Sequence, residues 1–514
     1  MQKKLCNLEH ANNNARIIVY VAASLVPILF PLLLINLISD YPSLKSLCAS
    51  SGDSAFYWLQ IDSLVNYGGV HGYFGFNGSN AAHGGLYAWG LAPLLPYYLF
   101  GKLFGWKLYS MTIANMVMIA VAIFVFLWLT NSSVKTTLGI IVVYICSFYT
   151  VGYSMYSTSE GERYALGILM AGIVLAVYRL DIHFWSETIS RKTTALYVIA
   201  ILFVVFCAVT IFLPFVIVLP LVLAHIFKKS NIVKRVFLSF GIGIPIVAMA
   251  YCIISAFSAP YPYAKLEFHS VFQLFKALIS NLVTNLESTN LFNVIQYDSK
   301  PMFWYFIVYM LVAAITIYNF VSIPKLCTFL PVYYIVGFLV GICMFYTGEP
   351  NIVSRQTNIG ILMGLFSECV VYENVHEKRE EKINLILAFV ILGFLSINGA
   401  WKIYQYACAE GGGTYEISDT LSAERAKFDS ATEISDQLDR HDNTIAYYGL
   451  LDRMCLSLPG GAGVNYMYNL QVDDRMKYAV IRTENFDYSE LLANLEEAYD
   501  LVFQDEYFIL MKKR

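Results

Sequence analysis

Apolar residues in this chain come in long blocks, not at a helical or strand period. Twelve runs stand out, at roughly 17–38, 86–104, 108–130, 138–156, 164–180, 195–211, 212–227, 236–257, 303–322, 328–346, 359–374 and 383–402. A helix needs about 20 apolar residues to cross a bilayer, so the pattern predicts a polytopic membrane protein. Sixteen mostly polar residues precede the first run. That run is too long for a signal-peptide core and no small-residue cleavage site follows it, so it reads as an uncleaved span.

Orientation follows from the excess of Lys and Arg on the cytoplasmic side. The most basic short loops are 179–192 (Arg179, Arg191, Lys192), 228–235 (Lys228, Lys229, Lys234, Arg235) and 378–382 (Lys378, Arg379, Lys382); Lys3, Lys4 and Arg16 stand at the start. These lie on one side only if one run is not a span. The run "GLYAWGLAPLLPYYLFGKLFG" (85–105) has Pro93, Pro96, several glycines and Lys102, and reads as a helix at the outer interface. About eleven transmembrane helices then remain, in residues 1–402, with the N-terminus cytoplasmic. A long first loop (39–107), a short one (156–163), a second long loop (258–302) and a turn (347–358) face outward. Between the runs 195–211 and 212–227 a tight outer hairpin is expected near Pro214.

From residue 403 onward the pattern changes. A helical period over 419–440, strands at 444–449 and 478–483, a helix at 489–498 and a hairpin at 500–513 predict a small extracytoplasmic α/β domain, 403–514. The fold class is thus an all-α polytopic bundle with an interfacial helix and a C-terminal α/β domain.

Composition agrees with this. The chain is 58% hydrophobic and 14% charged, with a mean hydropathy of +0.57; soluble proteins carry about 25% charge. The net charge of −3 hides an acidic tail, with 20 acidic and 10 basic residues from 403 onward, against 17 and 24 before it. Nucleic-acid binding is not expected. Cys146, Cys207, Cys252, Cys327, Cys343 and Cys369 lie in or beside apolar runs and read as buried hydrophobes; no pair has zinc or redox spacing. Cys408 and Cys455 are the one pair placed where a disulfide could form.

Carriers usually place costly ionisable groups inside their spans. Here the middles of the runs are nearly free of charge, and Asp53, Asp62, Lys102, Lys107, Glu160, Glu162, Arg163, Glu349 and Arg355 lie at the outer ends. Asp53 in "SGDSAFYW" and Glu160 or Glu162 in "STSEGERYALG" (157–167) suit acid/base work from two loops. Arg163 and Arg355 suit a phosphate, which guanidinium binds in a fork. Tyr57 and Trp58 beside Asp53 could stack on a sugar ring. Asp62 reads as a solvated or capping residue, His71 and His83 as structural or solvated, and the sequon "NGS" at 77–79 carries little weight.

An outer-loop Asp followed by aromatics, an interfacial "PLLPYYLFG" helix, a second-loop acid and a late "GEPNIVSRQTNIGILMGLF" turn (348–366) together resemble the C-type membrane glycosyltransferases. These include protein O-mannosyltransferases, aminoarabinose transferases and wall-polymer glycosylating enzymes. The order of tail elements is similar too. The resemblance implies a polyprenyl-phosphate sugar donor and a glycan, lipid or protein acceptor. It also implies inverting transfer to an acceptor hydroxyl at the outer face of the cell membrane, within the cell envelope. It casts Asp53 as the base and Glu160 or Glu162 as the second acid, and gives Lys102, Arg163 and Arg355 the departing phosphate. The chain departs from the family in using Glu as the second acid and in having Ser54 where some relatives place another acid. Because two residues on one helix that are two apart face different ways, at most one of the glutamates should line the site. No Asp-x-Asp motif occurs, so no metal or other cofactor is indicated. Two other classes compete: a polymerase or ligase of lipid-linked glycans, which should carry more basic residues in a large late loop, and a transporter or flippase, which should tolerate Asp53→Asn.

Overall fold

The computed structural model describes residues 2–38, 53–67, 73–74, 82–83, 92–107, 109–155, 158–183, 191–227, 231–257, 271–288, 300–322, 326–345, 350–375, 445–449, 464–467, 472, 476–483 and 487–514. The apolar runs become helices because a backbone surrounded by hydrocarbon must satisfy its own hydrogen bonds. In chain order they are α1 (Gln2–Ile38), α4 (Ser110–Thr130), α5 (Val134–Cys146), α6 (Phe148–Ser154), α7 (Glu160–His183), α8 (Arg191–Thr210), α9 (Val218–Ile226) and α10 (Ile232–Phe257), then α12 (Lys300–Ser322), α13 (Leu326–Phe345) and α14 (Pro350–Val375). Among the described residues, four stretches, Ala15–Leu34, Ser110–Thr130, Glu160–Tyr178 and Cys327–Met344, are long and apolar enough to cross a membrane, and five shorter apolar helices accompany them. The molecule is a multi-pass, mostly helical membrane protein. The last predicted span, 383–402, and the domain boundary at 402 lie outside the described residues.

One predicted span is interrupted: the run 138–156 breaks at Ser147, between α5 and α6, where Ser147 and Thr150 hydroxyls bond at 2.8 Å. Between the runs 195–211 and 212–227, where a hairpin is expected near Pro214, the chain forms a 3₁₀ turn over Leu213–Ile217. Among its described residues, the proline-rich run before α4 forms a 3₁₀ turn (Ala92–Leu94) and the ten-residue α3 (Leu95–Phe104). At 1.5 Å per residue such a helix is about 15 Å long, too short to span.

Packing concentrates on α4, α7, α13 and α14. Phe126 of α4 meets Phe366 of α14 edge-on at 5.6 Å. In α14, Gly360 and Gly364 form a small-xxx-small stripe that lets two helix backbones close up. A Cβ on Gly360 would stand 2.6 Å from Phe338 Cβ and 2.8 Å from the Tyr334 carbonyl oxygen of α13.

The loops carry elements of their own. α2 (Asp53–Tyr67) packs on α3: Trp106 donates to the Trp58 carbonyl at 3.2 Å, and Trp58 to the Lys107 carbonyl at 2.9 Å. The second long loop holds α11 (Val271–Ser288), an amphipathic helix that the apolar-run pattern does not reveal. Its Asn281 donates to the Met344 carbonyl of α13 at 3.3 Å.

The C-terminal part is a five-stranded sheet. Its strands are β3 (Ile445–Tyr448), β4 (Val464–Met467), β5 (Tyr478–Arg482), β6 (Tyr499–Gln504) and β7 (Phe508–Lys513), in the order β4-β3-β5-β7-β6. β3 runs parallel to β4 and β5, and β7 antiparallel to β5 and β6. α15 (Ser489–Glu496) sets Leu491 and Leu495 against Ala446, Ile481 and Met511. Thus β3, β5, α15 and the β6–β7 hairpin match expectation; β4 is an addition, and the 419–440 helix lies outside the described residues. A two-residue hairpin in the first loop, β1 (Tyr73–Phe74) with β2 (Ala82–His83), brings β1 within 8 Å of β4, Cα to Cα.

Candidate functional site

The charged residues singled out in 157–167 all become buried at the first turn of α7. Glu160, Glu162 and Arg163 are exposed by only 4, 2 and 2%. The helix begins where the Arg163 amide donates to the Ser159 carbonyl at 3.2 Å, which makes Ser159 the N-cap residue.

This turn is fixed from one side by α3 and α4. Asn115 donates to the Thr158 carbonyl at 2.9 Å and accepts from the Tyr97 hydroxyl at 2.6 Å. Gly161 has no side chain to hold Asn115 off: a Cβ there would lie 2.5 Å from Asn115 Cγ. The side chain of Asn115 thus lies directly on the helix start. Burial, and after it the charges of Glu162 and Glu160, push the Tyr97 phenol up from its ordinary value, so it stays a hydrogen-bond donor. Tyr57 of α2 also lies within electrostatic range of that phenol. Tyr97 is therefore where the first loop and the second meet.

On the other side, Arg163 Nη1 is 3.6 Å from Glu160 Oε1 and donates to Gln356 Oε1 of α14 at 3.2 Å. Its guanidinium carbon lies 5.1 Å from the centre of the Phe212 ring. Two residues on, Asn358 donates to Thr150 of α6 at 3.1 Å. The two glutamates separate as the helical period requires: Glu160 has an arginine, whereas neither carboxylate oxygen of Glu162 has a hydrogen-bond partner among the described residues. Buried polar groups ordinarily find hydrogen-bond partners, so a carboxyl group left without one in so closed a place points to function.

The remaining candidates are distributed as follows. Asp53 opens α2, and Arg355 directly precedes Gln356 on α14; the side chains of both lie outside the described residues. Lys102 does not join Arg163. It donates to the Val65 carbonyl of α2 and lies 5.7 Å from the centre of the Tyr98 ring, tying α3 to α2. Asp62 corrects expectation: it is 8% exposed, neither solvated nor a cap, and accepts from Asn66 at 2.6 Å. Burial pushes its carboxyl up to about 6, against a lowering by that hydrogen bond. Asn115, Tyr97, Thr158, Ser159 and Gln356 escape sequence reasoning, as uncharged residues in apolar runs or a loop give no charge signal. Glu368 escapes it too: half-buried on α14, it accepts from Asn319 of α12 at 2.6 Å. Among the described residues no three His, Cys, Asp or Glu side chains group as a metal site would require. Cys146, Cys207, Cys327, Cys343 and Cys369 remain thiols outside any disulfide.

No protein-family model and no curated protein matches the sequence. Solved structures do. The chain is similar to ArnT from Cupriavidus metallidurans in the apo state, at 12% identity and a TM-score of 0.50, over 97% of this chain and 98% of that one. It is similar to the Archaeoglobus fulgidus oligosaccharyltransferase in complex with Zn and sulfate, at 10% identity and 0.50, over 97% and 73%. The same enzyme tethered to an acceptor peptide containing the NVT sequon gives 12% and 0.50, over 96% and 74%. At such identities the likeness is one of fold. That likeness extends over nearly the whole chain.

Proposed function

We propose that this protein is an integral-membrane glycosyltransferase. It moves a sugar from a polyprenyl-phosphate donor to an acceptor hydroxyl, with inversion, at the outer face of the cell membrane. The observation that carries the reading is the buried Glu160–Glu162–Arg163 turn, set against α3, α4 and α14 within a fold like that of ArnT and the oligosaccharyltransferase.

In this reading Asp53 is the base that takes the proton of the acceptor hydroxyl as its oxygen attacks the anomeric carbon. The lipid phosphate leaves from the opposite face, carrying the bonding electrons. Arg355, next to the residue that holds Arg163, receives the phosphate charge. Arg163 is engaged by Glu160, Gln356 and Phe212, so its part is to fix α7 against α14. Lys102 likewise acts on the posture of α2. Glu162 is left as the carboxylate able to meet substrate. The N-terminus is cytoplasmic in this arrangement and the C-terminal domain extracytoplasmic, consistent with the approach of β1 to β4.

The test is sugar transfer from a panel of radiolabelled polyprenyl-phosphate sugars in membranes containing wild type or Asp53→Asn at matched expression. Transfer that Asp53→Asn abolishes supports both the class and the base. Equal transfer by both refutes the base. The likeness to an oligosaccharyltransferase favours a second reading, en bloc transfer of a lipid-linked glycan. Product formed only from lipid-linked oligosaccharides would select it.

A further inference from the structure

The segment "TSEGER" (158–163) begins α7 with Ser159 at the N-cap and Glu162 three residues on. This is the spacing of a capping box, in which the serine hydroxyl accepts from the backbone of the third residue and that residue's carboxylate accepts from the serine amide. In the structure the box is open. Ser159 Oγ and both oxygens of Glu162 have no hydrogen-bond partner among the described residues, nor does Thr158 Oγ1. Yet Ser159, Glu162 and Thr158 are exposed by only 4, 2 and 3%. The backbone is not free to rearrange and close the box, because Asn115 pins the Thr158 carbonyl and abuts Gly161. Four buried oxygens within five residues are therefore held open by their scaffold, and groups so buried ordinarily find partners.

Charge decides what fits. A buried anion would need a cation facing it, and the neighbouring Arg163 is engaged by Glu160, Gln356 and the Phe212 ring. A cation is opposed by the Arg163 guanidinium and by the positive end of a 24-residue helix dipole. What remains is a neutral ligand with paired hydrogen-bonding groups: two adjacent hydroxyls, each both donor and acceptor, can bond with the two oxygens of one carboxyl group and with two neighbouring hydroxyls. We propose that Thr158, Ser159 and Glu162 form a subsite for the vicinal diol of a neutral sugar ring. The subsite deepens the glycosyltransferase reading and rests on it. The ring can belong to the donor or to a glycosylated acceptor.

The test does not depend on turnover. Saturation-transfer NMR would be recorded for methyl mannoside, methyl glucoside, glucuronate and glucosamine against the full chain in nanodiscs. The expected result is signal from a neutral glycoside that falls at least fivefold in Glu162→Gln and in Thr158→Val/Ser159→Ala, with unfolding temperatures unchanged, and that persists in Asp53→Asn. Displacement by a polyprenyl-phosphate sugar but not by polyprenyl phosphate assigns the ring to the donor; resistance to both assigns it to the acceptor. Absence of glycoside binding, equal signal in the variants, or stronger binding of the charged sugars overturns the subsite. If glycosides bind as expected but no polyprenyl-phosphate or oligosaccharide donor is used, the subsite stands and the transferase reading falls.

Discussion

Replacing Gly161 with alanine isolates the contact on which the site geometry depends. A glycine inside a helix is ordinarily worse than alanine by roughly 0.5–1 kcal/mol, so on propensity alone Gly161→Ala should stabilise. The surroundings reverse that sign. The new Cβ would meet Asn115 Cγ at 2.5 Å, its Cβ at 2.6 Å and its Oδ1 at 2.8 Å. Carbon atoms prefer about 3.5–4.0 Å, so a separation of roughly 1 Å must open between α7 and α4. The Asn115 Cβ is fixed to its own backbone and cannot swing away. Overpacking of this kind costs about 1–3 kcal/mol, which outweighs the propensity gain. The shift also pulls Asn115 from the Thr158 carbonyl and displaces the Glu162 turn, and a misplacement of about 1 Å is enough to lower a rate about 10²-fold. Gly139→Ala in α5 is the control, since its Cβ would find only Cys369 Sγ at an ordinary 3.6 Å. Unfolding midpoints in detergent and transfer rates in membranes would be measured for both. A lower midpoint with severely reduced transfer in Gly161→Ala, beside an unchanged or raised midpoint in Gly139→Ala, is expected. If both move stability in the same direction and transfer is untouched, the account of the α4–α7 contact is wrong.

Other consequences can be checked separately. Asp62 titrates at about 6 in the fold against an ordinary 3.8, so the folded state binds its proton more tightly. Its contribution to stability therefore grows by up to about 3 kcal/mol as pH falls from 7 to 4. Asp62→Asn should be more stable than wild type at pH 7.5, and the difference should vanish near pH 4 in thermal unfolding. Tyr97→Phe removes the 2.6 Å bond to Asn115 and should lower stability by about 1 kcal/mol and slow transfer, read from denaturation and initial rates. Gln356→Ala frees one arm of Arg163 and should lower kcat more than it raises KM for the donor, with Gln356→Glu restoring much of the loss. Gly360→Val should prevent α14 from closing on α13 and abolish accumulation of folded protein, whereas Gly241→Ala, which meets nothing within 4 Å, should be silent in the same expression assay.

Much of the architecture could be read along the chain because hydrocarbon enforces it. A run such as 110–130 has no alternative to a helix, since only a helix satisfies its backbone locally. The proline-bearing run at 85–105 could be set aside for the same reason, and α3 is indeed too short to span. Strands β3, β5, β6 and β7 were legible as short apolar and aromatic runs, β4 was not: "VNYM" is short and becomes a strand by pairing in parallel with β3, a partner about twenty residues away. The candidate acids could be picked out by charge alone, because an ionised group beside a span is costly wherever the chain goes. Their roles could not. That Glu160 is held by Arg163 while Glu162 is left with an open capping box depends on Asn115, Tyr97 and Gln356, uncharged residues brought from three other helices. The burial of Asp62 depends equally on how α2 packs. Hydrophobic length is a local property that composition reports directly. The state of a carboxylate depends on which groups surround it across the fold, and only the tertiary structure supplies those.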